Sequence, residues 1–167
     1  MSTFQVGTRY DVGPLPYIPE HTTYFPAGAI TLAVEYREID DALLSDAFGA
    51  EAHAAQGQSF DDSGVSLHVL DEAGAEYLRF DCFDNDPHYH YITPGSHQSI
   101  VAYDAASNGD MLTWALRAIG ERTAQMLEHA SVPELAAKVD RERVRDALSR
   151  LAPFAIDAQH RHRAAHA

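Results

Sequence analysis

His88 and His90, one residue apart in PHYHY, are the side chains of this sequence best suited to chemistry. On a β-strand, residues i and i+2 leave the same face, so both imidazoles would point one way. Imidazole nitrogen binds zinc or iron at about 2.0–2.1 Å. A third ligand could come from His68, Asp81, His97 or Glu35. Two histidines with one carboxylate make a facial triad that keeps open positions. A metal held in this way lowers the pKa of a bound water and creates a nucleophile near neutral pH. The expected ligands are His88, His90 and His68, around a divalent transition metal, zinc or iron. The expected catalytic residues are Arg79, Asp81 and His68, with Arg79 holding an anionic substrate or stabilising developing negative charge. The expected activity is that of a small metalloenzyme acting on a small molecule, anionic ones included.

The same residues allow two other readings. A histidine beside an aspartate is more basic and can act as general base, with a second histidine as acid and Arg79 on an oxyanion. That metal-free arrangement suits lyase, isomerase or phosphodiester chemistry, including a nuclease-like toxin. The other reading is non-catalytic. His88 and His90 would be satisfied polar residues on a sheet face covered by a partner, in an interaction module or a homodimer. Other candidates are weaker. Cys82 falls in an apolar pattern and reads as a small core residue. Ser96-His97 lacks the context of a nucleophile elbow. Asp84 and Asp86 suit turn capping, since the spacing of a calcium loop is absent.

The elements that must position these side chains follow from periodicity. In residues 30–37, Ile30, Leu32, Val34 and Tyr36 alternate with Thr31, Ala33, Glu35 and Arg37, a half-buried strand. Val65, Leu67 and Val69 alternate in a second strand, and Leu78, Phe80 and Cys82 in a third, joined by DEAGA. If Asp71 pairs with Glu76, these six residues share one face. The opposite face then carries Ser66, His68, Tyr77, Arg79 and Asp81. A turn at DNDP leads to a strand HYHYI. If Phe83 pairs with His88, Asp81 lies opposite His90 and Arg79 opposite Ile92, so that His68, Arg79, Asp81, His88 and His90 share one surface. Residues 99–104 suggest one more strand, and 40–48 a short helix.

After Asn108 the spacing becomes helical. A helix is expected from about Gly109 to Glu128, capped by Ser107 or Asn108. Ser131 and Pro133 suggest a short helix to Val139, and Asp140 caps another that ends near Leu151, before Pro153. Strands first and helices after predict an α+β fold: a small antiparallel sheet of about four to five strands with C-terminal helices packed on one face. Residues 1–29 hold Pro14, Pro16, Pro19 and Pro26 among aromatics, and read as an extended arm that packs on the body or on a second subunit, giving a homodimer. Residues 30–156 read as one domain, and 157–167 as a flexible His/Arg tail.

Composition narrows the partners. The 167 residues suffice for one domain that buries roughly 70% of its unfolded surface. With 25 acidic residues against 12 Lys+Arg, the net charge is −13. Before residue 111 the only basic side chains besides histidine are Arg9, Arg37 and Arg79. Such acidity disfavours nucleic acid and favours a metal, a cation or a small molecule. One cysteine excludes an internal disulfide. No phosphate-binding glycine motif occurs. No apolar run or leader is visible, so neither a membrane partner nor secretion is expected, and a cytoplasmic location is.

The segment YLRFDCFDNDPHYHYI resembles a motif of small bacterial domains of unknown function, R-[FY]-D followed closely by P-H-x-H. The matching positions are Arg79, Phe80, Asp81, Pro87, His88 and His90. The resemblance spans about 20 residues and implies that these side chains form a site. Some domains with a similar RYD…PHH pattern are regarded as toxins acting on RNA, which is the activity the resemblance would imply for the metal-free reading.

Overall fold

The alternating segments pair into one antiparallel sheet. The computed structural model describes residues 6–51 and 60–167. Its strands are β1 (Thr8–Tyr10), β2 (Thr22–Ala27), β3 (Ile30–Asp40), β4 (Asp61–Asp71), β5 (Glu76–Phe83), β6 (His88–Thr93) and β7 (His97–Ala102). They run in the order β1-β7-β6-β5-β4-β3-β2. The helices are α1 (Asp41–Phe48), α2 (Ala105–Asn108), α3 (Met111–His129), α4 (Pro133–Ala136) and α5 (Arg141–Ala165). The fold is α+β as expected, but the sheet has seven strands among the described residues rather than four or five. The two extra strands come from the proline-rich segment: β1 pairs with β7 at one edge and β2 with β3 at the other. Pro26 is tolerated in β2 because β2 is an edge strand.

The connection from β1 to β2, residues 11–21, therefore crosses the whole sheet. That width is roughly 29 Å at about 4.8 Å per strand, within reach of an extended chain of this length. Pro14 and Pro16 hold its first part extended, and Pro19 opens a single 3-10 turn, Pro19–His21, before β2. It lies on the face away from the long helices, where the Tyr17 ring sits 5.5 Å from that of His68 and the Tyr17 hydroxyl donates to the Gly74 carbonyl at 2.9 Å.

On the helix side, Leu32, Val34, Val65, Leu67, Val69, Leu78, Phe80 and Cys82 are buried against Leu112, Ile119 and Leu127 of α3 and Val144, Ala147 and Leu151 of α5. Both helices present a small-residue and leucine stripe to the sheet, which is why the apolar strand positions fall on this face. Asp110 caps α3, its carboxylate accepting the Thr113 N–H at 2.9 Å, in place of the expected Ser107 or Asn108. Those two residues belong instead to α2. Ser131 does not cap α4. It has φ 65°, and Val132 holds the cap position.

The largest helical departure from expectation is α5, which passes through Pro153 and ends at Ala165, not near Leu151. The lost Pro153 hydrogen bond is offset by tertiary packing. Ala155, Gln159 and His162 are buried, and Phe154 packs edge-on against Phe25 at 5.9 Å. The His/Arg segment is thus largely the last turns of a docked helix. One backbone contact in the sheet is unforgiving. A methyl group on Gly64 would lie 2.4 Å from the Cys82 carbonyl oxygen and 3.0 Å from the Phe83 Cα of β5. Backbone in a paired strand yields little, so Gly64→Ala should destabilise the fold by about 2 kcal/mol. Urea denaturation checks this, and an unchanged midpoint would contradict it.

Candidate metal centre

The register of β4 on β5 places Ser66 opposite Asp81 and His68 opposite Arg79, as the apolar parity requires. Between β5 and β6 the pairing differs from expectation. Asp81 faces His88 and Arg79 faces His90, two residues away from the expected partners. A shift of two preserves the face of every side chain, so His68, Arg79, Asp81, His88 and His90 still share one surface. Tyr77 does not. The register shifts between Val69 and Leu70, so that Leu70 pairs with Glu76. The extra residue, Tyr77, turns to the apolar core, and Glu76 takes its place among the polar groups.

Two linked clusters result. In the first, Arg79 donates from Nε and Nη2 to the two oxygens of Glu76 at 2.8 and 2.7 Å. His68 lies between Glu76 and Glu35, at 2.5 and 3.2 Å. Glu35 accepts the Ile18 N–H at 3.0 Å, and Arg37 donates to the Leu15 carbonyl at 3.5 Å, so buried charges grip the crossing strap. Burial disfavours the charged form of Glu76, but the His68 charge and the Arg79 contacts outweigh it and bring its pKa to about 2. Burial also opposes the His68 imidazolium, yet Glu76 and Glu35 raise its pKa above the ordinary value. His68 is therefore held by carboxylates in an ion-pair cluster, apart from the group that could take a metal. Arg79, placed by the sequence against a substrate, has two of its nitrogens committed to Glu76.

In the second cluster, Asp81, His88 and His90 each bring a ligand atom within 4.8 Å of the others. Asp81 Oδ2 is 2.9 Å from His90 Nε2 and 3.3 Å from His88 Nε2. Every outer atom has a partner. Ser66 Oγ donates to Asp81 Oδ1 at 2.5 Å, His88 Nδ1 is 2.6 Å from the Asp86 carbonyl, and His90 Nδ1 is 2.7 Å from Gln98 Oε1. A carbonyl oxygen only accepts, so His88 Nδ1 carries its proton. The same assignment at Gln98 protonates His90 Nδ1. In the neutral imidazoles both Nε2 lone pairs then face the carboxylate oxygen, three acceptors converging with no donor among them. Burial favours neutral His90, and its pKa is lowered. Burial also works against the His88 imidazolium, but the Asp81 contact prevails and raises its pKa.

Asp81, His88, His90, Gln98 and Arg79 line a cavity of about 220 Å³. Pro14 and Leu15 of the strap, Leu44 and Phe48 of α1 and Ile39 of β3 also line it. Larger depressions, about 480 and 550 Å³, lie along α3 and beside Glu38. Neither meets the Asp81 group, so the smaller cavity is the relevant one. His97, a possible ligand by sequence, sits in the β6–β7 turn region with Thr93 and Ser96. Gln98 and Glu76 escaped sequence reasoning. The position of Gln98, across from Ile92 and next to the His90 pair, could have been found once β7 was started at His97. The Glu76 position depends on a bulge that no residue type announces.

Glu38, His162 and His166 form another group with ligand spacing, at the end of α5. His162 is buried, 3.1 Å from Ser63 Oγ, while Glu38 and His166 are exposed. No helix among the described residues is long and apolar enough to cross a membrane. No curated protein and no solved structure matches the chain. A family model does match, over residues 24–155, and its description is Domain of unknown function (DUF7700).

Proposed function

We propose that this chain, which belongs to the DUF7700 family, binds one divalent transition metal, zinc or iron(II), through Asp81, His88 and His90, and acts with it as a metalloenzyme on small molecules in the adjoining cavity. The observation that carries this reading is the convergence of Asp81 Oδ2 and two imidazole Nε2 atoms whose outer atoms are already bonded to Ser66, Asp86 and Gln98. Metal-bound histidines generally donate their second N–H to a carbonyl or carboxylate, which fixes tautomer and ring orientation. Two histidines and a monodentate carboxylate leave coordination positions open. A water there would become a nucleophile near neutral pH. The neighbouring Arg79–Glu76 pair keeps a fixed dipole at the cavity wall rather than a free cation.

A proton offers a second answer to the same convergence. His88, with its raised pKa, can pair as imidazolium with Asp81 and serve as an acid. The two readings separate on metal removal. Stripped protein titrated with cobalt(II) should take up one equivalent and develop visible absorption that Asp81→Ala abolishes. Turnover of small chromogenic esters, amides or phosphoesters should then stop on chelation and return with metal. Turnover surviving complete chelation would favour the acid–base reading. Gln98→Leu removes the partner of His90 Nδ1 without touching a ligand. Metal affinity should fall about 10–100-fold, measured by competition with a chelating dye, and unchanged affinity would count against the orientation assigned to His90.

A further inference from the structure

We infer that the ligand of the cavity is a small apolar monocarboxylate, a compound with one carboxylate on a ring-sized hydrocarbon body. The inference rests on the metal reading above and specifies what lies against the centre.

Charge comes first. A divalent metal with Asp81 and two neutral imidazoles carries a net charge of +1. Arg79 adds little, because Glu76 occupies its Nε and Nη2. Asp62 and Asp86 also line the cavity. Asp62 is held as an acceptor by the N–H groups of Ser63, Asn85 and Asp86 at 2.8–3.0 Å. One negative charge on the ligand neutralises the centre. A phosphate dianion would leave an uncompensated charge beside these carboxylates in a largely apolar enclosure, which is costly.

The lining comes second. Beside the polar groups the lining carries Leu15, Ile39, Leu44, Phe48, Phe60 and Ile100. They offer a sugar or polyol no hydrogen-bond partners. Leu15 is held in place at the strap, where Arg37 donates to its carbonyl and Glu35 accepts the Ile18 N–H.

Size comes third. An apolar cavity of about 150 Å³ accepts benzene. The space here, about 220 Å³, accommodates a ring of that size with a carboxylate on the metal.

Zinc-loaded protein titrated calorimetrically with phenylacetate, acetate and phenyl phosphate tests this, with zinc content measured on the same samples. Phenylacetate should bind at least about tenfold more tightly than acetate, because its ring leaves water, and more tightly than phenyl phosphate. Chelation of zinc should abolish binding. Leu44→Ala should weaken phenylacetate and leave acetate and zinc content unchanged. Equal affinity for phenylacetate and acetate, or preference for phenyl phosphate, at one zinc per chain would overturn the inference while the metal centre stands. Absence of stoichiometric zinc would overturn both.

Discussion

Glu76→Ala should lower folding stability by about 3–5 kcal/mol, the range for removing one partner of a buried charge pair. The substitution strands the Arg79 guanidinium, 2% exposed, and the fully buried His68 ring without the carboxylate that binds both. The same carboxylate sets a pH dependence. Its folded pKa of about 2 lies below the ordinary 4.5, because His68 and Arg79 overcome the cost of burial. A depressed acid contributes stability that is present above pH 4.5 and fades as pH falls towards 2. The contribution is about 3 kcal/mol. His68 has the opposite sign. Its raised folded pKa adds stability that is complete below 6.5 and lost as pH rises through the folded value. Urea unfolding of the wild type should therefore show a plateau with loss on both sides. Glu76→Gln should flatten the acid limb, so that its deficit against the wild type shrinks between pH 4.5 and 2. A constant deficit across that window would contradict the assignment.

Asp81→Asn should lower metal affinity by more than about 100-fold, beyond what loss of an outer partner costs. Asparagine keeps the shape and an oxygen for the Ser66 hydroxyl, which donates to Asp81 Oδ1. Its amide would offer N–H groups to the imidazole Nε2 atoms where a metal should sit. The fold should survive, since the three converging acceptors would gain a donor, and cooperative unfolding would confirm it. Competition titration with a chelating dye gives the affinity. Retention of wild-type affinity in Asp81→Asn would exclude Asp81 as the carboxylate ligand.

The face of each candidate side chain was legible in the sequence because Val65, Leu67 and Val69 and then Leu78, Phe80 and Cys82 fix parity. Parity survives a two-residue error, and the β5–β6 register, with Asp81 opposite His88, is such a case. Pairing partners were less legible, since DNDP does not dictate how many residues the turn consumes. Edge strands were hidden because β1 and β2 are short and interrupted by prolines whose usual meaning is loop. Pro153 likewise suggested an end to α5, and only the packing of Ala155, Gln159 and His162 shows why the helix continues. Glu76 was hidden by a bulge that exchanges it with Tyr77. Such features are set by contacts distant in sequence, which local periodicity does not encode.

The strap of residues 11–21 joins these observations. It needs prolines to stay extended, buried Glu35 and Arg37 to hold its backbone, and the polar face beneath it to be enclosed. A cavity forms where it passes over β5–β7, and there the three convergent acceptors lie.

Elemental analysis of untagged protein, reloaded with zinc or iron(II) and desalted, tests the central claim most directly. The wild type should hold about one metal per chain. His88→Ala/His90→Ala should hold none, and His162→Ala/His166→Ala should match the wild type. Full metal content in the His88/His90 variant, or a wild type that retains no metal after reloading, would contradict a centre built on Asp81, His88 and His90.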